Sequence, residues 1–352
     1  MKLELSTLIA GPCSAESREQ VLETAKALQG LPLNYFRAGI WKPRTRPGAF
    51  EGVGNQGLEW LSEVRNTFGF PICTEVATAE HVELAHQYKL DMVWIGARST
   101  VNPFTVQELA EALAGKGLKV MVKNPVNPDL KLWIGAIERL RNHQVDVIGA
   151  IHRGFSIYES SPYRNSPNWQ IPIDLKQHFP DLALICDPSH IGGARKLIKP
   201  LAQQAIDLHF DGLMIETHIE PENALTDAAQ QIAATTFAAL LNGLQVRNRE
   251  AIHEDQLLQL RQQLQLCDEQ LIALLVQRMQ VAKEIGSFKK EHNASILQPK
   301  RWEESLKKNV AYAEETGLST NFASQFLKLL HEESIRIQLD ILSSNEQQPD
   351  TF

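Results

Sequence analysis

The chain has four cysteines in 352 residues, and none stands in a C-x-x-C pair. That excludes a disulfide framework and a thiol-only metal site. No apolar run approaches the ~20 residues of a membrane helix, and the first residues carry no segment long enough for a signal peptide. We therefore expect a cytoplasmic protein without membrane partners. Positive charge is scarce, with 35 Lys and Arg against 42 Asp and Glu for a net charge of -7. The basic footprint that nucleic acid or an anionic membrane demands is missing. Short-period repeats and low-complexity tracts are absent as well.

The first two thirds instead contain short apolar runs, each ending in a residue with chemistry. Residues 7–10 lead into Gly11-Pro12-Cys13, 35–36 into Arg37, 71–73 into Thr74-Glu75, and 92–96 into Arg98. Residues 120–122 lead into Lys123, 147–151 into His152-Arg153, 182–185 into Asp187-Pro188-Ser189-His190, and 213–215 into Glu216-Thr217-His218. Amphipathic stretches such as 18–29, 80–88, 106–113 and 130–140 are long enough for helices between them. Short buried strands alternating with helices make a parallel α/β chain. In a closed (β/α)8 TIM barrel every strand's C-terminal end opens onto one face, so these end residues predict one active site.

Such a barrel takes roughly 250 residues, which leaves about a hundred for a second domain. We expect the barrel over 1–245, a polar linker over 246–255 and an all-α domain over 256–352. In the last part glycine is nearly absent, and Leu257, Leu260, Leu264, Leu271, Leu274, Leu275, Met279, Ala282 and Ile285 recur at helical spacing. One helix over 255–291 would be on the order of 50 Å long. A domain of that size is not so wide, so a second copy is expected to cover the apolar face. This predicts a homodimer through the helical domain, with a higher oligomer left open. Two further helices are predicted over 299–316 and 320–343, and residues 345–352 read as disordered.

The strand ends divide into two chemical kinds. Cys13, His190, Glu216 and Asp227 form a mixed sulfur, nitrogen and oxygen set, suited to Mn2+, Fe2+, Co2+ or Zn2+ rather than Mg2+ or Ca2+. Singly, Cys13 reads as a small buried hydrophobe, His190 as a turn residue, Glu216 as an ion-pair partner and Asp227 as a helix cap. Arg37, Lys42, Arg44, Arg98, Lys123 and Arg153 form the other kind. Any one of them reads as a solvated surface charge, but gathered at strand ends they imply a ligand with several negative groups.

The motifs Gly11-Pro12-Cys13-Ser14, Lys42-Pro43-Arg44-Thr45, Ile95-Gly96-Ala97-Arg98, IHRGFSIY over 151–158, Asp187-Pro188-Ser189-His190 and ETHIEPENALTD over 216–227 resemble the type Iβ 3-deoxy-D-arabino-heptulosonate 7-phosphate (DAHP) synthases. The resemblance covers about 1–245. It implies condensation of phosphoenolpyruvate with erythrose 4-phosphate at a divalent metal, with Mn2+ the first choice. Metal ligands would be Cys13, His190, Glu216 and Asp227. Phosphoenolpyruvate would meet Arg37, Lys42, Arg98, Lys123 and Arg153, and erythrose 4-phosphate Arg44 and Thr45. Lys123 would donate or relay a proton, and Glu75 would position water. The sister octulosonate 8-phosphate synthases share most motifs but carry Ala-Asn where Pro43-Arg44 stand here.

Residues 257–342 resemble the AroQ-class chorismate mutases without gaps. The resemblance implies chorismate contacts at Arg261, Arg278, Lys289, Arg301, Ser334 and Gln338, with Lys289 and Gln338 at the breaking ether oxygen. It also implies an intertwined dimer in which Arg261 serves the neighbour's pocket. Spacing agrees, since Arg278 and Lys289 lie three helical turns apart and Ser334 and Gln338 stand at i,i+4. Trp302 stands where that family usually has Glu, which sets the alternative of a non-catalytic helical dimerisation or regulatory module. With no further domain apparent, feedback by prephenate or chorismate through the helical domain is expected.

Overall fold

A computed structural model describes residues 5–42, 48, 50–158, 161–246 and 255–343. Arg44, Thr45, residues 247–254 of the predicted linker and the tail 345–352 lie outside the described residues. The chain divides into two compact units that meet in sequence at residues 249 and 250.

In the first unit eight parallel strands close into a barrel. They are β1 (Thr7–Gly11), β2 (Tyr35–Arg37), β3 (Ile72–Val76), β4 (Met92–Ile95), β5 (Lys119–Lys123), β6 (Asp146–His152), β7 (Ala183–Cys186) and β8 (Gly212–Glu216). β8 pairs back onto β1, with Gly11 opposite Glu216. Side chains alternate across each strand. Ile9, Cys73, Met92, Trp94, Met121, Ile151, Ile185 and Met214 form one buried cluster, while Val93 and Ile95 join the larger one. The first cluster fills the barrel and the second packs it against its helices.

Helix starts are fixed by side-chain caps. Ser17, Thr78, Asn102 and Asp129 accept backbone N–H groups of the following turn. The helix expected from 106 starts earlier, at Pro103 behind the Asn102 cap, because proline is favoured at the first helical position. Gly11 has φ 140, and a Cβ there would lie 2.0 Å from the Arg37 carbonyl oxygen. Only glycine lets the chain leave β1 this close to β2.

The second unit consists of helices Asp255–Glu291, Pro299–Glu315 and Thr320–Ser343. At 37 residues the first is roughly 55 Å long. It packs on the third, yet Leu260, Leu264, Leu271, Leu274 and Ile285 of its expected apolar face are exposed within one chain. Among the described residues no helix is long and apolar enough to cross a membrane.

Candidate active sites

Ligand atoms of Cys13, Glu216 and Asp227 lie within 4.8 Å of one another at the rim of β1 and β8. Cys13 Sγ is 3.5 Å from Asp227 Oδ2. Donors about 2.0–2.3 Å from a shared ion stand at most about 4.6 Å apart, so the group is close to the spacing that one cation needs. Glu216 is fully buried; Oε2 accepts from Gln230 Nε2 at 2.7 Å, while Oε1 has no hydrogen-bond donor among the described residues. The Arg37 guanidinium, 3.1 Å from Oε1, offsets part of the cost of burying that charge.

His190 joins from the short helix Pro188–Gly192, which Asp187 caps. His190 Nδ1 lies 2.7 Å from Asp187 Oδ2, and Nε2 faces Glu216 Oε1 at 3.6 Å. A carboxylate on one ring nitrogen that leaves the other free is the usual support of a metal-binding histidine. The expected set of four thus appears as a tight group of three with His190 against Glu216. Burial, and then Glu216, push the Cys13 thiol up to about 12. Against the cost of burial, His190 and Arg164 hold the Asp227 carboxyl down at about 2. A cation here must therefore displace a thiol proton.

The cationic residues stand beside this group. Arg37, 1 % exposed, brings Nη2 within 3.1 Å of Glu216 Oε1 and lies over the Trp94 ring at 5.0 Å. Its Nε and Nη1 are buried without a hydrogen-bond partner among the described residues. Lys123 Nζ lies 3.1 Å from Asp187 Oδ2, and Lys42 Nζ 3.3 Å from Cys13 Sγ. Trp94 Nε1 donates to Glu75 Oε2 at 2.8 Å. Arg153 donates to Asn165 Oδ1 at 2.7 Å. Burial, helped by nearby Arg164 and Arg98, pushes Arg153 down to about 10. Arg98 itself is exposed at the rim. Unbonded guanidinium nitrogens and mutually repelling cations are both relieved by an anion.

In the helical unit a cavity of about 730 Å³ is lined by Arg278, Lys289, Arg301, Ser334 and Gln338. Arg278 Nη1 donates to Ser334 Oγ at 2.7 Å, and Lys289 Nζ to Gln338 Oε1 at 3.1 Å. Burial, and then Arg301, lower the Lys289 ammonium. Trp302 stacks on His331 at 3.8 Å on the cavity wall. Arg261 is exposed and does not line the cavity.

Residues 4–250, more than half of the chain, match the DAHP synthetase I family. The chain belongs to that family. Its DAHP synthase domain is 33 % identical over 236 residues to the phospho-2-dehydro-3-deoxyheptonate aldolase of Thermotoga maritima, covering 67 % of this chain and 68 % of that one. It is also similar to the 2-dehydro-3-deoxyphosphooctonate aldolase of Desulfotalea psychrophila, at 31 % over 267 residues, 70 % of this chain and 91 % of that one. The crystal structure of the Thermotoga maritima DAHP synthase superposes with a TM-score of 0.61 at 33 % identity over 67 % of each chain. Residues 260–339 match chorismate mutase type II. The chain is thus a bifunctional enzyme of aromatic biosynthesis, a DAHP synthase domain followed by a chorismate mutase domain.

Sequence reasoning passed over three contributors to the DAHP synthase site. Asp187 ends the run into β7, a visible signal, yet it joins Lys123 to His190 rather than binding an ion itself. Arg164 Nη1 lies 2.9 Å from Asp227 Oδ1 and 2.8 Å from Gln230 Oε1. Gln231 Oε1 accepts the Cys13 N–H at 2.9 Å. Neither Arg164 nor Gln231 lies at a strand end, so no pattern marked them.

Proposed function

We propose that the barrel condenses phosphoenolpyruvate with erythrose 4-phosphate to DAHP and phosphate, and that the helical domain rearranges chorismate to prephenate. Cys13, His190, Glu216 and Asp227 would hold a divalent ion, Mn2+ before Fe2+, Co2+ or Zn2+, which would supply Lewis acidity toward the aldehyde oxygen. Arg37, Lys42, Arg98, Lys123 and Arg153 hold the phosphate and carboxylate of phosphoenolpyruvate, and Arg44 and Thr45 take the phosphate of the sugar. This aims C3 of phosphoenolpyruvate at the aldehyde carbon. Water adds at C2 and phosphate leaves by C–O cleavage. Glu75, fixed by the Trp94 indole, positions the water, and Lys123 gives or relays the proton.

One observation carries this reading: Arg37 touches Glu216 and Lys123 shares Asp187 with His190, so the cationic cradle and the candidate ion site abut. Chelation should abolish DAHP formation and Mn2+ restore it; full activity in EDTA would refute the metal's part. The similarity to an octulosonate aldolase supplies the second reading. The joined mutase domain argues for erythrose 4-phosphate, and preferred turnover of arabinose 5-phosphate would reverse that choice.

In the cavity, Arg278 and Arg301 clamp the two carboxylates of chorismate while Ser334 orients Arg278. Lys289 and Gln338 meet the ether oxygen as charge develops there. A second copy covers the exposed face of helix Asp255–Glu291 and brings its Arg261. Prephenate formed from chorismate by the purified protein supports the reading; none formed leaves a non-catalytic dimerisation or regulatory module. Prephenate or chorismate bound in the cavity feeds back on the barrel of this cytoplasmic enzyme, and synthase rates unchanged by saturating prephenate would remove that part.

A further inference from the structure

Two loops supply the candidate ion site. The loop after β1 carries Cys13, and the longer loop after β8 carries Asp227, whose φ of 51 is unusual for a residue with a side chain. Something must hold the second loop against the first. Arg164 and Arg195 grip it from one side, through Asp227 and the Ala228 carbonyl. On the other side stands Glu16, two residues beyond Ser14.

Glu16 Oε1 accepts the Leu225 N–H at 2.9 Å and faces Ser14 Oγ at 3.4 Å. Ser14 Oγ in turn is 2.5 Å from Thr226 Oγ1. Glu16 Oε2 lies 3.5 Å from Nε2 of the buried His218, and that nitrogen has no hydrogen-bond partner among the described residues. His218 Nδ1 accepts the Glu220 N–H at 2.9 Å, so the ring proton sits on Nε2, the nitrogen beside Glu16. Each carboxylate oxygen thus faces a donor of the far loop.

We infer that Glu16 is a positioning residue of the ion site: it latches the Cys13 loop to the Asp227 loop and so sets cation affinity without touching the cation. The inference rests on the reading of Cys13, Glu216 and Asp227 as ligands. An amide cannot do this work. Whichever way a glutamine is turned at 16, its NH2 meets the Leu225 N–H or the His218 N–H, donor against donor.

The test is a Cd2+ titration of the full chain, followed by the ultraviolet absorption of the cadmium–thiolate bond, with Cys13→Ser as the blank for the other cysteines. Wild type should show a saturable band that Cys13→Ser lacks. If it does not, the ligand reading falls and takes the latch with it. Given the band, Glu16→Gln should keep its height but need about tenfold more Cd2+ for half-saturation, the scale of lost support behind a ligand. His218→Leu, which removes the donor facing Glu16, should also weaken binding. The double variant Glu16→Gln/His218→Gln restores a donor facing an acceptor and should bind more tightly than Glu16→Gln alone. The surface variant Glu63→Gln should match wild type. Folded Glu16→Gln and His218→Leu proteins with wild-type half-saturation would overturn the latch. Should Glu16→Gln fail to fold, His218→Leu decides by the same criterion.

Discussion

Asp187 is the residue through which the two halves of the barrel site meet. It is fully buried and takes Lys123 Nζ on one side and His190 Nδ1 on the other. Against the cost of burial, His190 and Lys123 hold its carboxyl well below the usual range. Asp187→Asn keeps the shape but removes the charge that orients His190. We expect Mn2+ affinity to fall about 10–100-fold, the usual cost of losing such a partner, measured by electron paramagnetic resonance of free Mn2+. Unchanged affinity would mean that His190 is placed by something else. At this scale the sequence was legible where chemistry sits at the end of an apolar run. Cys13 follows β1 and Glu216 ends β8, and pairing of those strands brings them together. Arg164 was illegible because it lies in a polar loop and meets Asp227 only after the barrel closes.

Elements are written in the sequence by period and by punctuation. All eight apolar runs became strands, since alternating helices leave a short buried segment no other pairing. Boundaries were less legible where a cap rather than an apolar residue decides, as at Asn102. Gly11 is a case where the backbone decides, and Gly11→Ala should destabilise the barrel by about 1–3 kcal/mol or more, read from urea midpoints. A wild-type midpoint would show that β1 and β2 can part without cost. The long helix Asp255–Glu291 kept its predicted length, and its exposed leucines support a covering partner. If Arg261 acts across that contact, mixing Arg261→Ala with Lys289→Ala protomers should regain about a quarter of wild-type mutase activity, because hybrid dimers hold one intact pocket each. Mixtures that stay inactive would place Arg261 elsewhere.

For the whole molecule, the buried polar groups that serve the site also tune its stability to pH. His152 ends β6, packed among Trp133, Phe155, Trp169 and Phe210. Burial pushes it from 6.5 down to about 3. The unfolded chain therefore binds a proton below about 6.5 that the folded chain refuses until about 3, so this stability is present at neutral pH and lost as pH falls through that window. Between pH 7 and pH 4.5 wild type should lose about 2–3 kcal/mol more than His152→Gln in urea unfolding. Equal losses would show that His152 titrates normally when folded. The two-domain plan was legible from the fading of glycine and the change of period near residue 246.

The central claim is that one barrel rim gathers a divalent ion beside a cationic cradle. Anomalous diffraction at the manganese edge from crystals soaked with Mn2+ and phosphoenolpyruvate tests it most directly. The account predicts a single strong peak bonded to Cys13 Sγ, His190 Nε2, Glu216 and Asp227, with the phosphate on Arg153 and Lys123. A peak elsewhere, or phosphoenolpyruvate bound away from these cations, would contradict it.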